Sequence, residues 1–318
     1  MPRAYSWTES FISEGVLVWG CESLCMFRFG VMTGGFGVAE VARKAEALGY
    51  TSLSIPDHFG KQMAPGPALA TAAAVTTTLR LAPLVWCNDF RHPVVLAKEV
   101  ATLDVLSGGR VELGLGAGWM HSDYKESGLR MDSAGVRIAR MAEALQVLRG
   151  LLGPERCVFA GEHYQVDLNG LPKPVQERVP IFIGGGGRKM LTLAAKEADI
   201  VGINLDLRFE EYKDLAPNFA ACACDEKVGW VRAVGREVVL NMLVGSTFVG
   251  NRETGLAQFS REMETPLEIL RDSPHVLSGS VSELVDILLQ RRERWGFSYI
   301  VVREDVMEDF APVVARLV

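Results

Sequence analysis

Eight short apolar runs alternate with helical patterns along this 318-residue chain, and that alternation limits the fold more than any other feature. The runs centre near residues 28, 53, 82, 112, 181, 201, 240 and 300. Between the first two, Val38, Val41, Ala42, Ala45 and Leu48 recur at helical spacing, and Gly49 follows as a stop. The segment 134–152 carries Ile138, Met141, Ala142, Leu145 and Leu148 on one helical face. Ser280 with Glu283 three residues later reads as a capping box before a helix, and 307–317 reads as a closing helix. Strands alternating with helices predict parallel βαβ units. Eight is the count that closes a (β/α)8 TIM barrel; an open doubly wound sheet is the alternative. Polar residues at the C-terminal ends of several strands favour closure, because a barrel gathers its chemistry on that face.

Composition narrows the function. The 33 Lys and Arg against 39 Asp and Glu leave a net charge of −6, with no basic run. Phosphate backbones and anionic membranes both need a basic surface, so neither nucleic acid nor a membrane is an expected partner. No apolar stretch reaches the roughly 18 residues of a membrane span. Residues 11–25 are fairly apolar, but Glu14 and Glu22 interrupt them, so a secretory signal is not expected. The six cysteines show no C-x-x-C pair and read as reduced thiols of a cytoplasmic protein. Five histidines without H-x-H or H-E-x-x-H spacing give no metal site.

Four stretches carry candidate chemistry. Asp57 and His58 follow the second strand, where an acid beside an imidazole suits proton transfer near neutral pH. Asn88 to Pro93 follow the third strand and equally make an ordinary strand-to-helix turn. Gly114, Gly116 and Gly118 end the fourth, either for close approach of a flat ligand or for tight packing. Gly184, Gly185, Gly186, Gly187 and Arg188 open a helix, and bare amides at a helix N-terminus with a cation beside them suit a phosphate. Together they predict a phosphorylated planar cofactor lying across the strand ends.

In this order, IPDHFG (55–60), the run from Leu84 to Trp119 and the run from Pro174 to Gly202 resemble the bacterial luciferase-like monooxygenase superfamily. The likeness is greatest to its branch that uses the deazaflavin coenzyme F420. The resemblance implies a TIM barrel with insertions, often a homodimer, binding a deazaflavin or flavin at the C-terminal mouth. It implies a cis peptide at Leu84–Val85. It places Asp57, Leu84, Val85, Cys87, Asn88, Ala117, Gly118, Ser122 and the stretch Gly184–Arg188 against the cofactor. It makes His58 the candidate proton-transfer residue, with Asp57 orienting it or bonding the cofactor. In the sugar-phosphate dehydrogenases of that branch a Glu follows the rim glycine, where this chain has Trp119, and a phosphate-binding Lys falls near Leu207. Trp86, Trp119, Met120 and Asn204 then line an expected pocket for a small, more hydrophobic substrate.

The expectation is an F420-dependent oxidoreductase moving hydride between the deazaflavin C5 and a small organic molecule. An FMN-dependent monooxygenase and a non-catalytic cofactor-binding barrel are the alternatives. Residues 26–318 are expected to form one barrel domain, with 1–25 a non-native or loosely packed extension before Met26. Residues 120–135, 157–170 and 205–230 are expected to be loops shaping the pocket.

Overall fold

Strands of a parallel barrel are covered by helices outside and by one another inside, so they are apolar on both faces. In the computed structural model of the protein, the described residues are 26–207 and 212–318, with the side chains of 212–215 excepted. The expectation for residues 1–25 lies outside them.

The chain runs β1 (Arg28–Met32), α1 (Val38–Ala47), β2 (Ser52–Ser54), α2 (Pro65–Val75), β3 (Arg80–Leu81), β4 (Trp86–Cys87), α3 (Pro93–Ser107), β5 (Leu113–Gly116), α4 (His121–Ser127) and α5 (Ala134–Leu152). A hairpin of β6 (Cys157–Ala160) and β7 (Gln165–Leu168) precedes β8 (Ile181–Gly185), α6 (Arg188–Glu197), β9 (Ile200–Ile203), α7 (Tyr212–Phe219), α8 (Ala221–Arg232) and β10 (Val239–Val244). The insertion β11 (Ser246–Val249), α9 (Arg252–Glu262), α10 (Leu267–Arg271) and β12 (Val276–Gly279) leads to α11 (Val281–Trp295), β13 (Phe297–Arg303) and α12 (Met307–Leu317).

The main sheet has the order β3-β2-β1-β13-β10-β9-β8-β5-β4, and its paired strands are all parallel. Its two edge segments, β3 and β4, belong to one stretch of chain. Leu81 bridges Val111, with Leu81 N donating to Arg110 O at 2.9 Å and Glu112 N to Leu81 O at 3.0 Å. On the other side, Ala82 N and Leu84 N donate to Leu53 O and Ile55 O. Residues 80–87 are therefore one bent strand lying between β2 and β5, and the expected eight-stranded barrel closes. The bend has room because β5 is bare: a Cβ on Gly114 would collide with the Pro83 carbonyl oxygen, and one on Gly116 would come within 2.5 Å of Val85 Cγ2. These glycines thus serve packing. The Leu84–Val85 peptide is cis, as the resemblance implies.

Helices follow from their patterns. Val38, Val41, Ala42 and Ala45 are the buried face of α1. Both halves of the capping box form at Ser280 and Glu283 of α11. Pro217 lies inside α7, and the helical stretch breaks at Ala220, the residue before α8. The three loop expectations need correction: 120–135 contains α4 and the start of α5, 157–170 is an antiparallel hairpin turned at residues 161–164, and most of the described part of 205–230 is helical. The insertion 246–279 was not legible; its helices cover a separate cluster of Leu256, Phe259, Leu270 and Val276 with Phe219.

The N-terminal end of the barrel is closed by charge. Glu112 has no solvent exposure and is paired with Arg28 and with Arg80 Nε at 2.7 Å; Tyr299 Oη lies 3.4 Å from its other oxygen. Burial alone would raise the Glu112 carboxyl, but the two guanidinia outweigh it and hold it below its ordinary value. A lowered folded-state pKa means that the stabilisation is full above the unfolded carboxyl value of about 4.3 and is lost as pH falls through the lower folded value. Glu112→Ala strands two arginines and is expected to cost about 3 kcal/mol in urea unfolding at neutral pH. The deficit should shrink in acid below about pH 4, where the wild-type carboxylate is itself neutralised.

Candidate functional site at the barrel mouth

The loop after β2 carries the acid and imidazole. Ile55 and Pro56 are buried, which fixes how the loop leaves the strand; Asp57 and His58 are half-buried beyond them. Asp57 faces the third strand: its carboxylate accepts the Cys87 amide at 3.1 Å and pairs with Arg91 at 3.0 Å. Asp57 does not orient His58. That place is taken by Asp123, in the first turn of α4, whose Oδ2 lies 2.6 Å from His58 Nδ1 and whose Oδ1 accepts the Phe59 amide at 3.1 Å. The Trp119 ring stands edge-on to the imidazole, with centroids 5.7 Å apart at 88°.

Behind this pair the mouth is tightly built. Gly118 has φ +78°, and a Cβ there would collide with Tyr124 Oη. Tyr124 Oη donates to Asp89 at 3.0 Å, and Asp89 accepts from Arg140 at 2.9 Å. Burial pushes the Cys87 thiol up to about 11, so it stays protonated at neutral pH. A cleft of about 680 Å³, lined by Met32, Phe36, Pro56, Gln62, Arg303 and Glu304, opens beside the His58 loop, within the range of small-molecule sites.

Across the mouth, Gly184, Gly185, Gly186 and Gly187 are all half-buried, and Arg188 and Lys189 are exposed. A Cβ on Gly186 would collide with the Leu205 carbonyl; one on Gly184 would come within 2.9 Å of Asn204 Nδ2. The loop after β9 is therefore seated directly on the glycine row. Helix α6 starts at Arg188 with no side-chain cap and no acid in its first turn, and its first intrahelical bond runs from Leu191 N to Gly187 O. The amides of Arg188, Lys189 and Met190 thus have no acceptor within the helix. Asp206 is buried near Gly187, and the neighbouring charge of Lys227 offsets it.

Trp86 and Asn88 do not belong to this site. Side chains alternate along a strand: with Val85 turned against the β5 glycines, Trp86 turns outward into the core, 1% exposed. Asn88 is 2% exposed, with its amide on Tyr164 Oη at 3.3 Å. Ala117 is buried, and Leu84, Val85, Gly118, Met120 and Asn204 are half-buried at the strand ends; Ser122 is exposed on α4. Asp123 was missed because nothing in the spacing links it to His58, 65 residues earlier. Its one local signal is an acid in the first turn of a helix that follows the rim glycines.

The sequence matches the luciferase-like monooxygenase family over residues 24–228. This chain belongs to that family. The luciferase-like chain is 32% identical over 171 residues to an F420-dependent glucose-6-phosphate dehydrogenase of Amycolatopsis mediterranei, covering 51% of each. It spans about half to two thirds of the length of the curated relatives it matches: 51% of that one and 66% of another. Its fold is shared with the F420-dependent tetrahydromethanopterin reductase of Methanopyrus kandleri, at TM-score 0.72 and 18% identity over 92% of this chain and 98% of that one. It is also shared with a riboflavin lyase solved with modified FMN, at TM-score 0.71 and 12% identity over 92% of each.

Asp57→Ala removes the acceptor for the Cys87 amide and the partner of Arg91. It is expected to lower stability by about 1–3 kcal/mol in thermal or urea unfolding, while His58 keeps its contact with Asp123.

Proposed function

We propose that this chain is an oxidoreductase that uses coenzyme F420 to move hydride to or from a small, predominantly apolar organic substrate at the C-terminal mouth of the barrel. The observation that carries the reading is the half-buried glycine row leading into the uncapped start of α6, which suits an anionic group, across the mouth from an imidazole held by a carboxylate. The relative named for F420 dependence supports it. The residues fit such a ligand: Gly184–Arg188 would hold its phosphate, while Leu84, Val85, Ala117 and Gly118 offer a small, largely apolar surface for a ring. When bound, the deazaflavin supplies the two-electron chemistry, which belongs to the cofactor.

The chain's own residues do the rest. His58 holds or releases the proton that accompanies the redox change. Asp57 fixes the end of the third strand through the Cys87 amide. Phe36, Phe59, Met63 and Trp119 are 42–63% exposed on loops that follow β1, β2 and β5, and they form an apolar rim that excludes water and favours an apolar substrate. With Trp119 and Leu207 where sugar-phosphate dehydrogenases carry charged groups, glucose 6-phosphate is not the expected substrate.

Fluorescence titration with F420 and FMN separately tests the reading. Micromolar binding of F420 with much weaker binding of FMN supports it, whereas the reverse preference replaces it with the flavin monooxygenase. Gly186→Ala, which pushes a methyl group against the Leu205 carbonyl, is expected to weaken F420 binding roughly tenfold or more. His58→Ala should keep F420 binding and lose about 10²-fold or more in turnover once a substrate is found. Unchanged turnover removes His58 from the chemistry.

A further inference from the structure

The imidazole of His58 has two nitrogens, and only one can serve a reacting molecule if the other is engaged by the protein. Its Nδ1 lies 2.6 Å from Asp123 Oδ2. Oδ1 of the same carboxylate accepts the Phe59 amide at 3.1 Å, so both oxygens act as acceptors on the loop that carries His58. The Asp123 side chain is only 6% exposed, and that of His58 is 21% exposed, so the contact is shielded on the acid's side and open on the imidazole's. An ionised carboxylate accepts hydrogen bonds and donates none. The proton of a neutral His58 ring is therefore on Nδ1, and Nε2 carries the free lone pair. The edge-on Trp119 ring limits rotation of the imidazole from another side. The sequence neighbour, Asp57, cannot substitute, because Cys87 and Arg91 engage it.

We propose that Asp123 is the positioning residue for His58: it sets the Nδ1–H tautomer, directs Nε2 to the reacting molecule and balances the imidazolium formed when Nε2 takes a proton. The inference rests on the proposed oxidoreductase reading for the reacting molecule at Nε2 and for its turnover measurement, but not for the tautomer. Asp123 touches no reacting atom. It acts by fixing which nitrogen is basic and by holding the 58–59 backbone in place through the Phe59 amide. Removing a carboxylate that orients an imidazole in this way commonly costs 10–100-fold or more in function.

The test uses the full chain labelled with 15N on histidine, at a pH where the His58 ring is neutral. Its resonance is assigned by comparison with His58→Ala. Wild type is expected to show a protonated Nδ1 and an unprotonated Nε2. Asp123→Asn offers an amide in place of one acceptor and is expected to raise the Nε2–H population and lower turnover about 10–100-fold, with F420 affinity within about twofold of wild type. Asp123→Glu, which keeps the carboxylate, should restore the wild-type tautomer and part of the rate. A wild-type ring protonated on Nε2 overturns the proposal whatever the variants do, so a variant that fails to fold does not decide the matter. A folded Asp123→Asn variant with the wild-type tautomer and rate overturns it as well. Failure of the chain to bind F420 overturns the oxidoreductase reading alone, since the tautomer is read without cofactor or substrate.

Discussion

Everything at the mouth depends on a close approach of backbone to backbone where the third barrel strand meets the fourth. Residues 82–85 pass over Gly114 and Gly116 with no room for a Cβ at either. Side chains there would hold the two strands apart, and the ring of parallel strands would stay open at that seam. Because the seam closes, the loop after β2, the turn after β4 and the start of α4 converge. Asp57 then reaches the Cys87 amide, and Asp123 reaches His58. A hydrogen-bond geometry good to a few tenths of an ångström is thus a consequence of two missing methyl groups.

The two ends of the barrel use charge differently. At the N-terminal end, Glu112 is fully buried between guanidinia, with Tyr299 and Ser52 completing the set. That arrangement engages both carboxylate oxygens inside the protein, as befits the stabilising face of a barrel. At the C-terminal end the carboxylates are shared out one to a task. Asp57 holds a strand end, Asp89 joins Tyr124 to Arg140, and Asp123 meets the imidazole. The imidazole keeps one nitrogen outside these contacts, and the start of α6 keeps amides outside its own helix. Under the proposed function, binding and chemistry would draw on such groups at the mouth.

Glycine illustrates how one residue type serves different needs. On β5 it admits the bent third strand; at Gly118 it supplies φ +78° beside Tyr124; at Gly186 it admits the Leu205 carbonyl. From the sequence these rows look alike, as sites where something approaches closely. Whether that something is backbone, a tyrosine or a ligand is a question of which distant segment arrives there.

The eight barrel strands and most of the helices between them, the barrel class and the α11 capping box were legible in the sequence, because each rests on contacts between near neighbours or on a burial period repeated along the chain. The glycine row before α6 and the histidine after β2 were legible as candidate site elements for the same reason: strand, turn and helix start are local. The partner of His58, the task of Asp57, the outward turn of Trp86 and the helices of the 246–279 insertion were not. Each depends on which residues far apart in the chain are brought within a few ångströms when the barrel closes. Adjacency in sequence favoured Asp57 as the partner of His58; closure delivered Asp123, because hydrogen bonds are decided by distance in space and the chain supplies that distance only once it is folded.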